Sequence, residues 1–213
     1  MIDRDDLNRK LSRIEKDSKT SKSLIEIVTL FNKALFNLIK TDKIAIAIIE
    51  GTILRSIDTI GKRVFMDLSL NQPSINIRTI KSKKTQNITD TRLDPDYFPG
   101  QVNDSFEIRS ELCVPVIYEG KVLGTINLES TNIANYSVRD AQIVEKYARI
   151  LAKATHNYLT REDITKLDQR QQIRPNLDTS KRLEIEEWYE TLTETEFKEK
   201  VIGMILDKVR EKC

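Results

Sequence analysis

Apolar residues recur at helical spacing near both ends of the first 160 residues and at alternating spacing between them. Residues 3–20 place Leu7, Leu11 and Ile14 among many charges. That 4-then-3 spacing predicts a helix whose apolar stripe is narrow and suited to a partner helix. Polar residues at 18–23 interrupt it. Leu24, Ile27, Val28, Phe31, Leu35, Leu38 and Ile39 then predict a strongly amphipathic helix over 24–39. From Ile44 to Ile49 the chain is short, β-branched and nearly continuous, which predicts a central strand. A turn at Glu50-Gly51 leads to a second, antiparallel strand over 52–60, and Val64–Met66 reads as a short extended piece. Pro73 suits the first turn of a short helix with Ile75, Ile77 and Ile80 inward. Residues 87–90 read as a short strand. The 91–108 stretch, with Asp94-Pro95 and Pro99-Gly100, is a long irregular connection of the kind used as lids and binding loops.

The clearest pattern lies at 110–130. Two alternating runs, 111–118 and 122–129, flank Glu119-Gly120-Lys121 and predict a β-hairpin. One alternate set is apolar: Leu112, Val114 and Val116, then Ile126 and Leu128. Period 2 puts Glu111, Cys113, Thr125, Asn127 and Glu129 together on the opposite face. Ser137 with Asp140 three residues on predicts a helix start, and Ile143, Val144, Tyr147, Ile150, Leu151, Ala154 and Tyr158 carry that helix to about 159. Residues 161–180 are polar, contain Pro175 and read as a linker. Beyond it, Trp188 and Phe197 lie in two short amphipathic segments, the second opened by Thr193-x-x-Glu196. These segments are too small to bury their own apolar side chains, so 181–212 is expected to dock on the main domain or on a protein partner.

The four expected parts are a helical extension at 1–22, a main domain at 23–160, the linker at 161–180 and a helical extension at 181–213. The net charge of +2 gives no basic excess of the kind that phosphate-backbone binding uses, which disfavours nucleic acid. Cys113 and Cys213 form no disulfide framework, and no run approaches a membrane span or a signal peptide. A cytoplasmic protein is the expectation.

Four ordered motifs carry a family resemblance. Arg109-Ser-Glu-Leu-Cys-Val-Pro-Val116 resembles the R-S-x-L-x-V-P-hydrophobic strand of GAF domains, and Gly120-Lys-Val-Leu-Gly-Thr-Ile-Asn-Leu128 resembles its partner strand. Tyr136-Ser-Val-Arg-Asp140 resembles the family's F-S-x-x-D helix start, and Asp90 to Tyr97 its D-x-x-x-D/P-x-Y connection. The resemblance implies an α+β, GAF/PAS-like fold: a six-stranded antiparallel sheet with the terminal helices packed on one face and a pocket under loops on the other. Glu111, Cys113, Thr125, Asn127 and Glu129 would floor that pocket, with Tyr97 and Asp104 supplied by the long connection.

The resemblance extends to one enzymatic branch, the free methionine-(R)-sulfoxide reductases, through Ser110-Glu111. That branch needs a nucleophilic cysteine shortly before this pair, where Asp104 and Ser105 stand here, and the sequence has no cysteine before Cys113. A thiolate attacks sulfoxide sulfur and a hydroxyl or carboxylate does not replace it. Cys113 reads better as a small buried strand residue. His156, the single histidine, is expected to be solvated or at a helix contact, and no cofactor is expected. Arg78, Lys81, Lys83 and Lys84 read first as a solvated loop and second as a landing place for an anion. Glu111 and Glu129 together suit a ligand amine, with Asn127 adding a directed hydrogen bond. The expected protein is a non-enzymatic sensory or regulatory domain for a small polar molecule, signalling through its terminal helices. It is expected to be a homodimer through Leu7, Leu11 and Ile14. The alternative is an interaction or scaffold module with an idle pocket.

Overall fold

The computed structural model describes residues 3–61, 67–97 and 107–172. The chain divides into a unit of Met1–Arg161 and a second of Glu162–Cys213, and the account below concerns the first. Val64–Met66, Asp104 and the segments expected at 181–213 lie outside the described residues.

The helices are α1 (Arg4–Lys19), α2 (Leu24–Phe36), α3 (Ile75–Ser82) and α4 (Val138–Gln172). The strands are β1 (Lys43–Glu50), β2 (Ile53–Gly61), β3 (Leu68–Ser69), β4 (Gln86–Ile88), β5 (Ser110–Tyr118) and β6 (Lys121–Ser130), with a 3-10 turn at Thr91–Leu93. They form one six-stranded sheet in the order β3-β2-β1-β6-β5-β4, and every neighbouring pair is antiparallel. This is the expected α+β arrangement.

Local chemistry sets the element ends. Ser23 caps α2 by accepting from Glu26 N at 3.2 Å. Ser137 and Asp140 close a reciprocal capping pair at the start of α4: Asp140 N donates to Ser137 Oγ (3.2 Å) and Ser137 N to Asp140 Oδ2 (2.8 Å). The β5–β6 turn is two residues long, not three. Glu119 and Gly120 both have positive φ (46° and 78°), as a type I′ turn requires, and Lys121 already pairs with Tyr118.

The apolar set of the hairpin packs as expected. Leu112, Val114, Val116, Ile126 and Leu128 share one core with Phe31 and Leu35 of α2 and with Val144, Tyr147 and Leu151 of α4. Phe31 meets Tyr147 edge to face, centroids 6.3 Å apart.

Four expectations need correction. The α1 stripe already has a partner within the chain: Leu7 is 7% and Ile14 4% exposed, both in the main core, with Leu11 packed against it. It is therefore not a free seam for a second copy. Ser74, not Pro73, begins α3; its Oγ accepts from Ile77 N at 3.2 Å, and Pro73 precedes the cap. α4 does not end near 159 but continues to Gln172, because no glycine or proline interrupts the chain between Val138 and Pro175. His156 is half-buried, and its ring contact is with a strand: it stacks on Tyr118 of β5, centroids 4.1 Å apart.

Candidate functional site

The sheet face away from the core carries an unusual density of buried polar side chains. Register brings them together. Glu111 lies directly across from Glu129, Cys113 from Asn127, and Lys43 of β1 from Glu129 on its other side. Glu111, Cys113, Thr125, Asn127 and Glu129, the five hairpin residues expected to form the floor, are all buried there. α3 covers part of it. Asn76 Oδ1 accepts from Thr125 Oγ1 at 2.8 Å and from Cys113 Sγ at 3.4 Å. Thr79, also buried, turns its hydroxyl back onto Ile75 O at 2.8 Å.

Lys43, Asn76 and Thr79 were not visible as site residues in the sequence. Lys43 precedes an apolar strand and reads as the solvated end of a turn, yet it is only 5% exposed. Its Nζ forms an ion pair with Glu129 Oε2 at 3.2 Å. The chain's own amine therefore stands beside one of the two carboxylates that the sequence suggests for a ligand amine. Asn127 Nδ2 donates to the other oxygen, Glu129 Oε1, at 3.1 Å. This bond fixes the amide and leaves Asn127 Oδ1 buried with no hydrogen-bond partner among the described residues.

Burial bears most heavily on Glu111. Burial, then the charge of Glu129 across the strand, holds the Glu111 carboxyl well above the ordinary glutamate range, and Lys43 only partly offsets this. Burial also pushes the Cys113 thiol well up, with the nearby Glu111 adding to it, so the sulfur is a poor nucleophile. The Glu111 shift fixes a sign. The folded state keeps a proton that the unfolded state releases, so this group lowers stability as pH rises above the ordinary glutamate value. Glu111→Gln removes that slope. Urea midpoints measured from about pH 5 to about pH 8 should move in favour of the variant as pH rises. A gap that stays constant or narrows would show that Glu111 titrates normally.

The connection beside the floor is anchored by α3. Arg78 Nη1 donates to Asp96 Oδ2 at 2.8 Å and to Asp94 Oδ1 at 3.0 Å, and its Nη2 bonds Asp94 Oδ2. Arg78 is thus engaged by the chain's own carboxylates, with its side chain 29% exposed. Tyr97, half-buried, ends this turn. At the other side, Arg109 Nη2 donates to Asp90 Oδ2 at 3.1 Å, and this guanidinium lowers the Asp90 carboxyl to about 2. Together these bonds tie Asp90–Asp96 to α3 and to the residue before β5 with two arginine–carboxylate clamps.

A protein-family model described as GAF domain matches residues 23–155. Comparison with curated proteins gives no match. Among solved structures, the GAF domain of a phosphoenolpyruvate-protein phosphotransferase from Coxiella burnetii superposes with a TM-score of 0.66 at 15% identity, covering 74% of this chain and 96% of that one. Free methionine-R-sulfoxide reductase from Neisseria meningitidis, in complex with its substrate, gives 0.64 at 16% identity, covering 73% and 91%. The type II free methionine-R-sulfoxide reductase of Thermoplasma acidophilum gives 0.56 at 21%, covering 64% and 97%. At such identities the likeness speaks to fold alone.

Proposed function

The chain belongs to the GAF domain family, and on that footing we propose that it is a sensory or regulatory domain, without enzymatic activity, that binds a small polar molecule over Lys43, Glu111, Asn127 and Glu129. The observation that carries this reading is a pair of buried acceptors without a hydrogen bond. Among the described residues Asn127 Oδ1 has no hydrogen-bond donor and Glu129 Oε2 has only its ion pair with Lys43, in residues 2% and 8% exposed. A buried polar atom left without a partner costs about 1–3 kcal/mol, so groups of this kind call for a ligand or ordered water. The strands that display them also hold the core on their other face, so a change at the floor is felt by α2 and α4. No described helix is long and apolar enough to cross a membrane.

Isothermal titration against amino acids, organic acids and nucleotides tests the reading. One class is expected to bind with one site per chain, and Asn127→Leu to weaken it by about tenfold or more. A stable protein that no class binds would sink the sensory role. The reductase reading gains from the two reductase structures that share this fold. Against it stands Cys113, buried and with its thiol pushed up. Turnover of methionine sulfoxide, abolished by Cys113→Ser, would establish that reading instead.

A further inference from the structure

β4 is too short to cover β5. Its three residues pair with Glu111, Leu112 and Cys113, and from Val114 onward the outer edge of β5 has no strand beside it among the described residues. The chain joining α3 to β4 passes this edge, and α4 closes the far side. The result is a cleft of about 430 Å³, a volume typical of small-ligand sites, lined among others by Lys83, Lys84, Thr85, Pro115, Glu145 and Arg149.

Its charge is uneven. Lys83 occupies the C-cap of α3 in the left-handed region (φ 56°, ψ 27°), where glycine or asparagine is the ordinary occupant. Its Nζ donates to Gly120 O at 2.7 Å, so its charge meets a carbonyl and not a carboxylate. Lys84 and Arg149 are exposed and have no ion-pair partner among the described residues. The one carboxylate in the lining, Glu145, is held by Thr85, whose Oγ1 donates to it at 2.6 Å. Three cations against one carboxylate leave a surplus of two positive charges. Pro115 offers no N–H at this edge, which blunts it against an added strand. What the cleft presents is charge.

We propose that this cleft is a second binding site, separate from the polar floor of the sheet, for a small molecule bearing a phosphate monoester. Lys84 and Arg149 hold the phosphate oxygens, and Lys83, fixed on Gly120, adds its field from the rim. A phosphate monoester carries about −1.5 to −2 charges near neutral pH, which matches the local surplus. The planar guanidinium of Arg149 suits paired phosphate oxygens. The basic residues of α3 and just after it are divided in their roles: Arg78 is engaged by Asp94 and Asp96, Lys81 lines a different cleft, and Lys83 with Lys84 joins Arg149.

The test is calorimetric titration of the full chain with glycerol 3-phosphate, inorganic phosphate and a glutamate-rich hexapeptide. Glycerol 3-phosphate is expected to bind with one site per chain and to weaken as salt is added. Lys84→Ala combined with Arg149→Ala should weaken it by about tenfold or more. Glu145→Gln should tighten it, and Lys81→Ala should leave it unchanged. Both residues of the double variant are exposed, so its fold is not at stake. Failure of glycerol 3-phosphate to bind overturns the proposal. So does an equal loss in Lys81→Ala, which would mean diffuse surface charge, or a preference for the acidic peptide over both phosphates.

Discussion

Replacing Gly124 with alanine is expected to destabilise the domain by about 3 kcal/mol, at the upper end of what overpacking usually costs. Gly124 faces Ile48 across the β1–β6 pair and Val116 across the β5–β6 pair. A Cβ there would fall 2.0 Å from the Ala47 carbonyl oxygen and 3.0 Å from the carbonyl carbon. Those are backbone atoms in the middle of the sheet, so nothing flexible can yield and the two strands must separate. Gly120 is the contrast. Its φ of 78° strains any side chain, but no atom lies within 4 Å of the added Cβ, so Gly120→Ala should cost about 1 kcal/mol. Denaturant midpoints of the two variants separate a steric cost from a conformational one. A Gly124→Ala protein no less stable than Gly120→Ala would show that β1 and β6 are further apart than described.

Lys43→Met should be at least as damaging, by about 3–5 kcal/mol, because it leaves Glu129 buried beside Glu111 without its ion-pair partner. The Lys43 and Glu129 side chains are only 6% and 10% exposed, so solvent screens the pair little. The informative measurement is the double variant. Lys43→Met with Glu129→Leu removes both charges, and replacing a buried pair by apolar groups is often close to neutral. Recovery of most of the lost stability is expected, and the double-mutant cycle gives the coupling directly. Additive losses would mean that Lys43 does not serve Glu129.

Apart from the length of its turn, the hairpin was legible because its two faces obey different chemistry at alternate positions. Leu112, Val114, Ile126 and Leu128 could only face a core, and that alone fixed where Glu111, Asn127 and Glu129 would point. Lys43 was not legible. A lysine after Thr41-Asp42 looks like the wet end of a turn, and only the register that sets it against Glu129 brings it inside. Asn76 and Thr79 were hidden by the isoleucines around them. Ile75 and Ile77 are buried as expected, but α3 is short and covered on more than one side, so its polar residues are buried too. The α1 stripe was misassigned for a related reason. Spacing shows that Leu7 and Ile14 need a partner, not whether that partner belongs to the same chain.

The division of labour along β5 and β6 also bears on how such a domain can diverge. Neighbouring residues on a strand point to opposite faces, so Glu111, Cys113, Thr125, Asn127 and Glu129 can change without touching Leu112, Val114, Ile126 or Leu128. Substitutions that alter the chemistry of the floor leave the helix-facing core intact, and the core can drift without redrawing the floor. Two nearly independent alphabets are thus written on one pair of strands. A lineage carrying this hairpin can exchange one set of floor side chains for another and keep the same core.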